Sequence, residues 1–121
     1  MTPSTGRTIL VVDDEESLRV MLVRTLAGEG YRVLQAGDGV EALEVLEAEP
    51  DVSLVLTDLV MPRMNGLELA ERLAGRSNTL LLFMSAQTRR QIEPPGPLLQ
   101  KPFTPAALCA EVQRLLTPSH T

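Results

Sequence analysis

The feature that most constrains this chain is where its acids stand. Ile9-Leu10-Val11-Val12 runs straight into Asp13-Asp14, and Leu54-Val55-Leu56-Thr57 runs into Asp58. Both runs are short, continuous and rich in β-branched residues, without polar alternation. That is the pattern of strands buried on both faces of a parallel sheet. In an open α/β sheet the ligand crevice lies outside the carboxyl ends of the strands, so the topology would gather three carboxylates at one edge. Two unit charges about 4 Å apart interact by roughly 4 kcal/mol at an effective dielectric near 20. A fold that tolerates such a cluster needs a cation or a positive side chain to offset it. The sequence offers one, because its single lysine, Lys101, follows a further apolar stretch in Leu98-Leu99-Gln100-Lys101-Pro102-Phe103.

Strand and helix patterns alternate along the chain with short breaks, the signature of βαβ units. Strands are expected over residues 8–13, 32–36, 53–58 and 80–85. The first helix carries Leu18, Met21, Leu22, Thr25 and Leu26 at helical spacing and stops near Gly28 and Gly30. Asp38-Gly39-Val40-Glu41 has the acid-x-x-Glu form of a capping box and opens a second helix through Leu43 and Leu46. Asn65-Gly66 leads into a third with Leu67, Ala70 and Leu73. Thr104 caps the last helix with Pro105 at its first position, and Leu108, Val112, Leu115 and Leu116 face the core. Between Ser85 and Lys101, Pro94-Pro95-Gly96-Pro97 excludes a full helix and leaves one or two turns over 88–93. Residues 1–7 read as a linker, 8–116 as one domain and 117–121 as a flexible tail.

Composition narrows the function classes. At 121 residues there is enough chain for a single core. The aromatics are Tyr31, Phe83 and Phe103, so that core must be aliphatic. A net charge of −5 argues against direct nucleic-acid binding, which needs a basic face. The lone Cys109 excludes an intrachain disulfide and fits a reducing compartment. No apolar stretch approaches the roughly 20 residues of a membrane span, and residues 1–7 lack the character of a signal peptide. A cytoplasmic location without membrane contact is expected. His120 has no partner pattern, and Cys109 beside the apolar face of the last helix reads as a small hydrophobe.

Five elements in order carry a resemblance to a known family. They are Asp13-Asp14, Asp58 in Thr57-Asp58-Leu59-Val60-Met61-Pro62-Arg63-Met64-Asn65-Gly66, Ser85-Ala86, Lys101, and Pro102-Phe103 after it. Together, over about residues 8–116, they resemble the receiver domain of two-component response regulators. The resemblance implies a doubly wound α/β fold of the flavodoxin type, with five parallel strands in the order 2-1-3-4-5 and here a shortened or irregular fourth helix.

It also implies roles. Asp58 would be the phosphoacceptor, since a carboxylate can attack a phosphoryl group and hold it as an aspartyl phosphate. Asp13, Asp14 and Asp58, with the backbone carbonyl of Val60, would hold Mg²⁺, which favours one or two carboxylates with waters and phosphate oxygens. Lys101 would pair with Asp58 and then with the phosphoryl oxygens, and Ser85 would hydrogen-bond one of them. The family implies a cis bond at Lys101-Pro102. Val60 and Gln87 hold positions that tune phosphoryl lifetime, and Leu98 stands where many receivers place an aromatic switch residue.

The competing role for Asp13 and Asp14 is helix capping, because acids favour a helix N-terminus. The partner would be a histidine kinase or a histidine phosphotransfer domain, with self-phosphorylation and self-dephosphorylation as the chain's own chemistry and no turnover. The proline-rich shortened fourth crossover, followed by Leu98-Leu99-Gln100-Lys101-Pro102-Phe103-Thr104-Pro105, resembles receivers of hybrid sensor kinases. A stand-alone regulator is the alternative. A degenerate receiver serving as an interaction scaffold is a rival of another class, as is a Mg²⁺-dependent aspartyl-phosphate phosphatase. The latter would want a second acid two residues after Asp58, where Val60 stands. A nucleotide-binding domain would want a glycine-rich turn in place of Asp13-Asp14-Glu15-Glu16.

Overall fold

The apolar runs form the central strands of one parallel sheet. In the computed structural model, which describes residues 6–59, 66–76, 79–86 and 96–117, β1 (Thr8–Val12) is buried along its whole length. It lies between β2 (Arg32–Ala36) and β3 (Leu54–Asp58), and β4 (Leu80–Ser85) and β5 (Leu98–Gln100) extend the sheet in the order β2-β1-β3-β4-β5. All four pairings are parallel. This is the expected doubly wound topology.

Alternation along β1 and β3 divides the core into two layers, as a strand's period of two requires. Ile9, Val11, Leu54 and Leu56 pack with Leu22 and Leu26 of α1 (Glu16–Gly28) and with Leu108 and Val112 of α4 (Pro105–Leu116). Leu10, Val12 and Val55 face the other way, toward Ala42 and Leu46 of α2 (Gly39–Ala48) and Leu69 of α3 (Gly66–Arg72). A smaller cluster of Leu59, Ala70 and Phe83 closes the edge near β5, with Leu98 packed against it.

Local signals placed the starts of α2 and α4 and the end of α1. The Asp38 side chain accepts from the Glu41 amide at 2.9 Å. The return arm of the expected capping box reaches one residue earlier, where Glu41 Oε1 accepts from the Gly37 amide. Thr104 Oγ1 accepts from the Ala107 amide at 3.0 Å with Pro105 opening α4. Gly30, at φ +97°, takes the left-handed turn between α1 and β2.

Several expectations need correction. β1 ends at Val12 and β3 begins at Leu54, each one residue short of the forecast. Met21, at helical spacing with Leu18 and Leu22, is 45% exposed, whereas Leu22 and Leu26 are the buried residues of α1. In α3 the inward side chains are Leu69 and Ala70, followed by Leu73 just past its end, whereas Leu67 points outward at 39% exposure. Residues 88–93 of the shortened fourth crossover lie outside the described residues, as do most of the linker and of the tail.

Candidate functional site

Strand register creates the site. Val12 of β1 stands opposite Thr57 of β3, so Asp13 and Asp58, the next residue along each chain, leave the sheet side by side at its carboxyl edge. Asp58 in turn is in register with Met84, which puts Ser85 one step further on the same edge. Carboxylate oxygens of Asp13, Asp14 and Asp58 all lie within 4.8 Å of one another. Asp13 is 1% exposed, Asp58 is half-buried and Asp14 is exposed.

Asp13 is held at every polar atom. Its amide donates to the Ala36 carbonyl at 3.2 Å and its carbonyl accepts from Arg19 Nη1 at 2.8 Å. Oδ1 accepts from the Glu15 amide at 2.9 Å, and Oδ2 faces Lys101 Nζ at 3.3 Å. The capping role weighed for the acids is therefore partly present, since Asp13 binds an amide at the entrance to α1. Glu15 itself occupies the N-cap position without a side-chain cap bond. Capping and pocket roles coexist in Asp13 through different oxygens.

Lys101 follows β5, and its amide donates to the Ser85 carbonyl at 2.8 Å. The bond to Pro102 is cis, as the resemblance implied. Its ammonium reaches back across the edge to Asp58 Oδ2 at 3.0 Å as well as to Asp13. Burial alone would lower the lysine pKa. The hydrogen bond and charge of Asp58, joined by those of Asp13, outweigh it and hold the pKa above the ordinary lysine value. One ammonium against three carboxylates leaves the edge negative.

The sequence reading did not single out two residues that support this site. A Cβ on Gly66 would stand 2.6 Å from the Asp58 carbonyl oxygen and 3.0 Å from the Leu59 Cα, while the Gly66 amide donates to the Leu59 carbonyl at 2.9 Å. The signal was present in Asn65-Gly66 opening a helix just after the proposed acceptor. Arg19 is the other, and one arginine among ten carried no signal. Ser85 is buried at the end of β4. Val60 and Gln87 lie outside the described residues, as does His120. Cys109 is distant from this chemistry, and burial followed by the nearby charge of Glu29 pushes its thiol pKa up, which keeps it protonated.

Three carboxylates at the open edge of the sheet form an all-oxygen donor set of high negative charge. That is the chemistry of a Mg²⁺ site, which demands hard oxygen ligands and keeps several waters. The exposed Asp14 gives such a site an open side.

A parallel α/β sheet with an acidic crevice at its carboxyl edge and a lysine from the neighbouring strand end is the architecture of a phosphoryl-accepting receiver. The response regulator receiver domain family matches residues 9–113, and the chain belongs to it. The DNA-binding response regulator MtrA of Mycobacterium tuberculosis is 39% identical over 115 residues, covering 89% of this chain and 50% of that protein. Response regulator MprA of the same species is 38% identical with the same coverage. The chain thus spans about half the length of these curated relatives. Among solved structures, the receiver domain of the hybrid histidine kinase CckA is 31% identical with a TM-score of 0.80, covering 91% of this chain and 99% of that one. The chemotaxis protein CheY4 of Vibrio cholerae is 30% identical with a TM-score of 0.82, covering 93% and 100%. Receiver domains bind Mg²⁺ at an acidic pocket and interact with histidine kinases or phosphotransfer proteins.

Proposed function

We propose that Asp58 accepts a phosphoryl group from the phosphohistidine of a histidine kinase or histidine phosphotransfer domain. The observation that carries this is the convergence of Asp13, Asp14, Asp58 and Lys101 at one sheet edge. A carboxylate oxygen of Asp58 forms the new P–O bond as the P–N bond of the donor breaks, and the donor imidazole leaves with the electron pair. Such a transfer asks the protein mainly for positioning and charge neutralisation. Asp13, Asp14 and Asp58, with the Val60 carbonyl by family resemblance, would hold Mg²⁺, whose charge offsets that of the phosphoryl oxygens. Lys101 exchanges its contact with Asp58 for one with the phosphoryl group, and the Ser85 hydroxyl takes another oxygen. The chemistry is confined to loading and unloading Asp58, without substrate turnover.

The parent arrangement we favour is a receiver attached to a hybrid sensor kinase, working in the cytoplasm. The proline-rich fourth crossover and the similarity to the CckA receiver support it. The MtrA relatives favour the other arrangement, in which the receiver serves a DNA-binding output that this chain does not span. The chain's net charge of −5 leaves direct DNA contact to such a further segment. Among the described residues no helix is long and apolar enough to cross a membrane.

The test is mass spectrometry after incubation with acetyl phosphate and Mg²⁺. A phosphoryl mass increment on the peptide containing Asp58 is expected, lost in Asp58→Ala and in excess chelator. An increment on another residue, or one indifferent to the metal, would refute the assignment.

A further inference from the structure

The acidic pair has a support outside the pocket. Asp13 and Asp14 are successive residues, so one peptide plane links the two α-carbons from which their carboxylates project. The carbonyl of that plane accepts from Arg19 Nη1 at 2.8 Å. The same guanidinium donates through Nε to Gln35 Oε1 at 2.9 Å. Gln35 lies on β2 beside Ala36, whose carbonyl takes the Asp13 amide at 3.2 Å. A closed frame results, in which β2 holds the Asp13 amide directly and its carbonyl through Arg19. The planar fork of an arginine can meet two acceptors at once, which a lysine ammonium cannot do with the same fixed geometry.

We propose that Arg19 is a positioning residue for the acidic pocket: by bridging Gln35 and the Asp13 carbonyl, it fixes the peptide plane that aims both the Asp13 and the Asp14 carboxylates. The buried Asp13 has further anchors in the Glu15 amide and Lys101. Asp14 is exposed and takes its direction from that plane, so Arg19 matters most for it. Groups that orient ligating residues from behind change metal affinity by about 10–100-fold when removed. Charge alone argues the other way, because removing a cation near three acids should tighten Mg²⁺ binding. The two roles therefore differ in sign.

The proposal rests on the pocket being a Mg²⁺ site, and the experiment separates the two. Arg19→Met, Arg19→Lys and Gln35→Met are compared with the unaltered 121-residue chain by calorimetric Mg²⁺ titration and by the Asp14 amide resonance in chelator. We expect Arg19→Met to raise the Mg²⁺ Kd by about tenfold and Arg19→Lys to restore part of the loss. Gln35→Met should weaken binding by a smaller factor although every charge is retained. The Asp14 amide should shift in both Arg19→Met and Gln35→Met without metal. An unchanged or tightened Kd in Arg19→Met overturns the positioning role. If the unaltered chain binds no Mg²⁺, the metal reading fails, and the amide then decides alone: a shift sustains the frame and an unmoved resonance refutes it. Should Arg19→Met not fold, Gln35→Met, at an exposed side chain, gives the same two readouts.

Discussion

Gly66 presses on the main chain of Asp58, with room for a hydrogen and none for a methyl group. The obstructing atom is the Asp58 carbonyl oxygen, 2.6 Å from where a Cβ would stand. Backbone has no rotamer with which to move aside. Gly66→Ala should therefore destabilise the fold by about 1–3 kcal/mol, the usual range for overpacking, and displace the acceptor. Denaturant unfolding checks the first effect, and the rate of Asp58 labelling by acetyl phosphate checks the second. A fully stable, fully reactive Gly66→Ala protein would mean that the β3–α3 connection adapts freely.

Mg²⁺ should stabilise the native state, since a ligand bound only by the folded chain shifts the equilibrium by mass action. At a hundred times its Kd the gain is about 2.7 kcal/mol. For a domain near this size that is a rise in Tm of roughly 10 °C. With no tryptophan in the sequence, scanning calorimetry is the suitable measurement. Coincident transitions in Mg²⁺ and in chelator would exclude the metal.

Lys101 and the metal offset the same charges, so each should matter more without the other. Lys101→Met leaves Asp13 and Asp58 without their shared ammonium, and breaking a buried pair costs about 3–5 kcal/mol at most. Partial exposure of both Lys101 and Asp58 brings the expected loss in chelator to roughly 1–3 kcal/mol. The increment in Tm on adding Mg²⁺ should be larger in Lys101→Met than in the unaltered chain. Equal increments would mean that lysine and metal occupy independent sites.

The exposed Asp14 is the acid with least to lose. Asp14→Asn in chelator should raise stability by a few tenths to about 1 kcal/mol through relief of like-charge repulsion. Asp13→Asn should not, because that carboxylate also accepts the Glu15 amide and faces Lys101. A parallel response of the two variants would contradict the division of roles described for Asp13.

The pH dependence of the lysine contacts follows from the direction of the shift. The folded-state pKa of Lys101 lies above its ordinary 10.5. Its contribution is then fully present below the unfolded value and is lost as pH rises through the folded one. The stability difference between the unaltered chain and Lys101→Met should be flat from neutral pH to about 10 and shrink above 10.5. A difference that shrinks below pH 9 would assign the stabilisation to another group.

How much of this was legible in the sequence depended on how local each cause is. Continuous apolar runs gave β1 and β3 to within one residue, and short-range hydrogen bonding gave the starts of α2 and α4. The pocket was legible because acids at strand ends are gathered by topology, whatever the side-chain detail. Helical spacing marks a face about a third of the helix wide without fixing its edges, and Met21 and Leu67 lie outside the buried stripe. Arg19 escaped notice because its partners, Gln35 and the Asp13 carbonyl, meet it only after α1 packs across β1 and β2. The closeness of Gly66 to Asp58 is likewise a property of the folded chain.

Lys101 carries the sole ε-amine in the sequence, and it stands between Asp13 and Asp58. Chemistry directed at lysine side chains is thereby chemistry directed at the pocket. An isotopically labelled methyl group introduced by reductive alkylation would mark this side chain and, besides it, the chain's α-amino group, keeping the positive charge while recording every change in the carboxylates around Lys101. Acylation of the same nitrogen would erase that charge and set the two acids against each other. A reagent that treats most proteins as a field of interchangeable side-chain amines would here find one such amine, distinguishable from the chain's α-amine by its carboxylate neighbours.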